Sequence, residues 1–499
     1  MDSHSTLPPT SLSLPEIIQG GMGIGVSNWR LARAVAKAGQ LGVVSGTALN
    51  TLLIRRLQEG DVGGAMRNAL AQCPLREAAL RIEARYFIPG GKSAVQKYRL
   101  APLFTAEASD ELIALTVVAN FVEVHLAKLG HSGLVGLNLL EKVQLPTLAS
   151  LFGAMLAGVD CVLMGAGIPR AIPGVLDGLA AWQPVELELS VTDAKSDEKH
   201  LCRFDPGAFF PDEKPPLRRP PFLAIVSSST LATTLVRKAS GRVDGFVVEG
   251  LSAGGHNAPP RGGTTLNARG EPVYGPRDQA DLAAIHALGR PFWVAGSCAF
   301  PEKLRAARDA GAAGVQIGTA FAFCEESGID SKVKRAVLDQ SVAGTTALFT
   351  DPRASPTGMP FKVVDVAGSV SRADVYEQRT RVCDLGYLRQ PYRKPDGSLG
   401  YRCPAEPIHD HEKKGGTQAD ATGRKCLCNG LFAAVGFGQT LPDGKVEPAI
   451  VTAGADVAEV ARFLRPGRHS YRAIDVVNFV IDALRAPAAE LETQTSAAV

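Results

Sequence analysis

The stretch EGLSAGGH, residues 249–256, follows the apolar triplet Phe246, Val247 and Val248 and ends on an imidazole. The triplet reads as a buried strand. Behind it come three glycines and a serine, with little side-chain bulk before His256. Glycine lets a flat ligand lie against bare backbone. An imidazole beside such a surface is placed to take a proton near neutral pH. A tight turn with an incidental histidine is the competing explanation. Gly296 closes another apolar run, and Gly318 with Thr319 closes a third and leads into a helical pattern. Backbone N–H groups and a hydroxyl at a helix start suit a phosphate dianion. Ligand-free strand–helix turns are the alternative.

Two further glycine motifs fail on spacing. In GGKS, residues 90–93, Tyr86 stands where a P-loop needs its first glycine. In GGMGIG, residues 20–25, Val26 stands where a dinucleotide fingerprint needs its third glycine.

The elements that must position these residues recur along the chain. Eight short β-rich apolar runs occupy residues 16–19, 42–45, 134–138, 161–164, 223–226, 245–248, 292–295 and 314–317. Helical patterns lie between most of them, as at 28–39, 145–158 and 301–311. Continuous apolar strands alternating with helices predict a parallel sheet covered on both faces. Eight such units predict an α/β fold closed as a TIM (β/α)8 barrel, with a doubly wound open sheet as the alternative. Chemistry in such barrels sits at the C-terminal strand ends. Those ends read Gln19, Gly20, Gly21, Met22 and Gly23; Ser45 and Thr47; Asn138; Gly165 and Gly167; Ser227 and Ser228; the His256 loop; Gly296 and Ser297; Gln316, Gly318 and Thr319. Nearly all are small or polar, which a barrel packed only for stability does not require at one rim.

The barrel is expected over residues 15–335, with a helical insertion at about 51–130 and a polar, proline-rich excursion at 191–221. A C-terminal extension is expected over 336–486. Residues 1–14 and 487–499 read as disordered ends. The extension carries Cys383, Cys403, Cys426 and Cys428, with nineteen, twenty-two and one residues between them, and His409 and His411. Four thiolates could hold zinc or an iron–sulfur cluster. Ordinary buried thiols are the other reading.

Of the 499 residues, 45% are hydrophobic and 21% charged, with a net charge of +3. No long basic run is present, which argues against nucleic acid as a partner. No apolar run reaches eighteen residues and the start lacks a signal-peptide pattern, which argues against a membrane. Nine scattered cysteines fit reduced thiols and a cytoplasmic protein. A homodimer is left open.

Taken together, IIQGGMG, GLN at 136–138, MGAG at 164–167, VVEGLSAGGH and AGAAGVQIGTAFAFCEES at 310–327 resemble the nitronate monooxygenase family, formerly called 2-nitropropane dioxygenases. They are also similar to the FMN-dependent enoyl-acyl-carrier-protein reductases. The resemblance spans roughly residues 15–365, the insertion excepted. It implies FMN across the barrel rim, with its phosphate on Gly296, Gly318 and Thr319, helped by Gln316. It places the backbone of Gly21, Met22 and Gly23 along the isoalloxazine, and Asn138 as a hydrogen-bonding partner. Gln19, Gly167, Gly254 and Gly255 complete the implied cofactor surface, and His256 is the implied base. The implied reaction is oxidation of nitronates or nitroalkanes by dioxygen. YRCPAEP and KCLCNG resemble segments of trans-acting enoyl reductases that serve polyketide and polyunsaturated fatty acid synthases. NAD(P)H-dependent reduction of an enoyl thioester therefore stands as an alternative. A non-redox barrel for a phosphate ligand, or a binding subunit, is a third.

Overall fold

The computed structural model describes residues 14–210 and 212–485. The disorder expected for residues 1–13 and 487–499 falls outside them. Eight strands are β1 (Ile17–Gln19), β2 (Gly42–Ser45), β3 (Val135–Leu140), β4 (Cys161–Gly165), β5 (Phe222–Val226), β6 (Gly245–Glu249), β7 (Phe292–Ala295) and β8 (Gly314–Ile317). Neighbours pair in parallel in the order β1, β8, β7, β6, β5, β4, β3, β2. The ring closes through Leu41, which bridges Ile18. Its N–H donates to Ile17 O at 3.1 Å, and its carbonyl accepts from Gln19 N at 2.9 Å. The fold is a TIM barrel, as the alternation of apolar runs and helices predicts.

Side chains alternate along each strand. Ile18, Val43, Cys161, Leu163, Leu223, Val247, Trp293 and Ala295 meet inside the barrel as one buried cluster. Their neighbours Ile17, Val44, Val162, Val248 and Val315 pack outward into the main core beneath the helices. The same alternation fixes what stands one layer higher at the C-terminal mouth. Ser45 lies two residues beyond Val43, and Glu249 two beyond Val247. Asn138 and Gln316 likewise fall on the inward register, opposite the outward Leu137 and Val315.

The outer helices begin on local signals. Asn28 caps the helix Trp29–Lys37 by accepting from Leu31 N at 3.0 Å, and that helix buries Leu31, Ala32, Val35 and Ala36. Four helices fill the region expected as an insertion: Leu49–Gln58, Ala65–Leu70, Arg76–Tyr86 and Asp110–Lys128. The last packs on Trp29–Lys37 and Thr147–Leu156, so it stands in the barrel's outer ring. The proline-rich excursion carries the second strand of an antiparallel hairpin, Val185–Glu188 with Leu201–Phe204.

After residue 335 the chain returns over the barrel mouth. Hairpins pair Leu348–Asp351 with Phe361–Val364 and Gln390–Arg393 with Leu399–Arg402. The helices Leu427–Ala434 and Ala473–Arg485 follow. The final helix docks on Trp29–Lys37 and Pro301–Asp309. No helix among the described residues is long and apolar enough to cross a membrane.

Candidate active site

One large cavity opens at the C-terminal mouth. It is lined by the strand ends below and by residues of the C-terminal extension above. Gly21, Met22, Gly23, Asn138, Gly254, Gly255, His256, Gly296, Gln316, Gly318 and Thr319 all line it. Residues spread over three hundred positions are thus brought to one chamber.

The floor is polar. Asn138 donates Nδ2–H to Gly21 O at 3.1 Å, while its Oδ1 is buried without a hydrogen-bond partner. Gly21 has to lack a side chain there, since a Cβ would lie 2.2 Å from Asn138 Cβ. Gln316 Oε1, Ser45 Oγ, Thr47 Oγ1 and Ser297 Oγ are also buried without partners among the described residues. Glu249 lines the same floor, and burial pushes its carboxyl up to about 7 against the pull of the Lys362 ammonium. Sequence reasoning missed Glu249. The signal was available, because it stands two residues beyond inward-facing Val247.

Two predicted cofactor residues do not reach the chamber. Ile18 faces the barrel axis, so the next side chain, Gln19, turns away from it. Gln19 is fully buried, donates to Gly20 O and Ser27 Oγ at 2.7 Å each, and accepts from Val43 N at 2.9 Å. It shapes the glycine loop. Gly167 is outside the cavity lining and is pressed against Glu141, whose Oε2 would lie 1.9 Å from an added Cβ.

His256 sits on the wall. Its Nε2 is 2.6 Å from Ser355 Oγ, and Ser355 Oγ in turn lies 2.8 Å from Thr357 Oγ1 and accepts from Thr357 N at 3.2 Å. The ring stacks edge-on against Phe361, with centroids 4.9 Å apart. Nε2 is therefore engaged, and Nδ1 makes no hydrogen bond to the described residues. Burial alone lowers the imidazole to about 4, so it is neutral at physiological pH.

The loop carrying His256 is tied down from the C-terminal side. Lys362 Nζ donates to Leu251 O at 2.7 Å and to Asn257 Oδ1, and its backbone N–H donates to Gly255 O at 3.0 Å. Gly255 N–H, on a left-handed residue with φ +77°, reaches Thr452 Oγ1 at 3.0 Å. Ala455 N–H donates to Ser252 O at 2.9 Å. Thr319 is also held, since its Oγ1 accepts from Gly454 N at 2.9 Å. Its hydroxyl is thus engaged by the extension. Above Gly318 the space is open, and an added Cβ would meet only the Met22 side chain, at 3.7 Å and beyond.

The cysteines of the extension do not assemble as a metal centre. No group of three or more His, Cys, Asp or Glu side chains among the described residues is arranged to hold a metal ion. Cys383 and Cys403 share a thiol hydrogen bond, which lowers Cys383 and raises Cys403. Burial pushes Cys426 up to about 12 and Cys428 well above the ordinary thiol range. The four residues pack as small apolar side chains, with Cys428 facing the cavity.

In TIM-barrel enzymes the active site sits at the C-terminal mouth, and here that mouth carries an imidazole and a glycine-lined polar floor. Residues 182–356 match the family model described as nitronate monooxygenase. A probable nitronate monooxygenase of Bacillus subtilis is 35% identical over 132 residues, 26% of this chain and 36% of that protein. A nitronate monooxygenase of Pseudomonas aeruginosa is 30% identical over 139 residues, 28% of this chain and 38% of that protein. The matches thus span little more than a third of these curated relatives' length. The solved structure of FabK from Thermotoga maritima aligns over 96% of both chains, at 16% identity and a TM-score of 0.46.

Proposed function

We propose that this chain binds FMN across the barrel mouth and oxidises alkyl nitronates with dioxygen. The supporting observation is the floor. Asn138 Oδ1 and Gln316 Oε1 are buried acceptors without partners among the described residues, and Glu249 lines the same cavity. Unpaired buried acceptors cost free energy until a ligand brings donors to them. A ring imide and a ribityl chain offer N–H and O–H groups of that kind. Gly21, Met22 and Gly23 leave a bare surface for a flat ring. The open backbone at Gly318 would take the phosphate, with the main chain of Gly296 and Thr319 contributing.

When bound, the flavin supplies the electron transfer from substrate to dioxygen. The chain's residues position the substrate and handle its proton. A neutral nitroalkane must first lose a proton from the carbon bearing the nitro group. That C–H bond breaks, its electron pair passes into the nitro group, and His256 Nδ1 takes the proton. Ser355, on Nε2, holds the ring in register for this. An imidazole that binds protons only near pH 4 is always ready to accept, yet it is a weaker base than free imidazole. Nitronates, already ionised, are therefore the better substrates, and neutral nitroalkanes the slower ones.

The test is oxygen uptake by FMN-reconstituted protein supplied with ethyl nitronate. Uptake that depends on both enzyme and FMN is expected. Flavin binding without uptake would contradict the reaction, and failure to bind flavin would contradict the whole reading. A second reading, reduction of an enoyl thioester by NAD(P)H, gains support from Leu388, Leu427, Leu431 and Ile450, apolar side chains that line the same chamber.

A further inference from the structure

The cavity has a second surface that the flavin chemistry does not require. The helix Leu427–Ala434 turns Leu427, Leu431 and Ala434 to the chamber, the i, i+4, i+7 face of one helix. Leu388 and Ile450 join them. This wall begins at the imidazole. Phe361, which stacks on His256, belongs to the same apolar cluster as Leu427 and Ile450, with Leu388 and Leu431 packed against it. Tyr387, which also lines the chamber, has its hydroxyl satisfied: it lies 2.6 Å from Asn50 Oδ1 and 2.7 Å from Thr51 Oγ1. Phe361, Leu388, Leu427, Leu431 and Ile450 all lie beyond residue 356, where the family match ends.

We propose that this wall is a binding surface for an unbranched alkyl chain on the substrate, and that the C-terminal extension sets chain-length preference. The inference rests on the proposed function only in placing the reacting carbon beside His256. A chain attached to that carbon leaves the polar floor and meets an apolar face. The floor is filled with acceptors, so a charged or hydroxylated tail gains nothing on the Leu427 side, while each methylene removed from water adds about fourfold to affinity.

The experiment is isothermal titration calorimetry of FMN-loaded protein with 1-nitroalkanes from nitroethane to nitrohexane. Turnover of the corresponding nitronates is measured alongside. Affinity should climb by about threefold to fourfold per methylene, and Leu431→Trp, which fills the chamber, should flatten that climb. Leu431→Ala should move the optimum to longer chains. Affinity independent of chain length in the unsubstituted protein would overturn the proposal, and so would a slope that neither substitution alters. A steep slope without turnover of any nitronate would leave the alkyl surface standing and remove the nitronate reaction.

Discussion

At the scale of single residues, proton removal from a neutral substrate falls to one imidazole and its partner. His256→Ala should keep FMN but lose turnover of neutral nitroalkanes by roughly 10²–10⁴-fold, the usual worth of a positioned base. Nitronate oxidation should fall far less, and steady-state kinetics on the two substrates separates the effects. The pH dependence follows from the burial of the ring. His256 binds a proton only near pH 4 in the folded chain, against about 6.5 for a free imidazole. The rate on neutral nitroalkanes should therefore stay level well below pH 6, where an ordinary histidine would already be losing activity. Stability carries the matching sign. Between about pH 6.5 and 4 the unfolded chain takes up a proton that the folded chain refuses. Stability thus falls with pH there, by roughly 3 kcal/mol in total at this site. His256→Asn should flatten that limb in urea titrations at stepped pH. Ser355 is a positioning residue. Ser355→Ala should lower the rate on neutral nitroalkanes by about tenfold and shift the acid limb of the rate profile, because Nε2 loses its partner. A structural role alone would leave that limb in place.

At the scale of elements, most of the barrel was legible and much of the site was not. The eight strands were visible because each is a short apolar run between helical patterns, and period-two alternation then orders their tips. That alternation also sorts the strand tips. Gln19 ends β1, yet Ile18 occupies the inward position, so the Gln19 side chain turns from the chamber, whereas Glu249 is inward by register and lines it. Lys362, Ser355 and Thr452 were invisible because they reach the His256 loop through tertiary contacts from about a hundred to two hundred residues away, and nothing local marks such a contact. Leu427, Leu431 and Ile450 read as ordinary core, and composition cannot tell a cavity wall from a packed one. The Lys362 tie carries a prediction at this scale. Lys362→Met would release Leu251, leave Asn257 Oδ1 without its donor and leave the Glu249 carboxyl without its opposing charge. A loss of roughly 3 kcal/mol in chemical denaturation is expected, together with weaker FMN binding.

At the scale of the whole molecule, the C-terminal extension is stitched into the barrel mouth. Its segments supply the partner of His256, the tie on Lys362, the bonds to Gly255 and Thr319, and the apolar wall. Binding of FMN should therefore stabilise the chain as one body. With free FMN at a hundredfold over its dissociation constant, linkage adds about 2.7 kcal/mol to unfolding, and calorimetry should show a single transition moving upward. The anaerobic visible spectrum of the FMN-loaded protein decides between nitronate oxidation and NADPH-dependent reduction. Ethyl nitronate is added to one cuvette and NADPH to another. Loss of the flavin band with nitronate, and not with NADPH, is the result expected of a nitronate-oxidising site. An unchanged band with nitronate and bleaching by NADPH would contradict that claim and assign the barrel to the reductases.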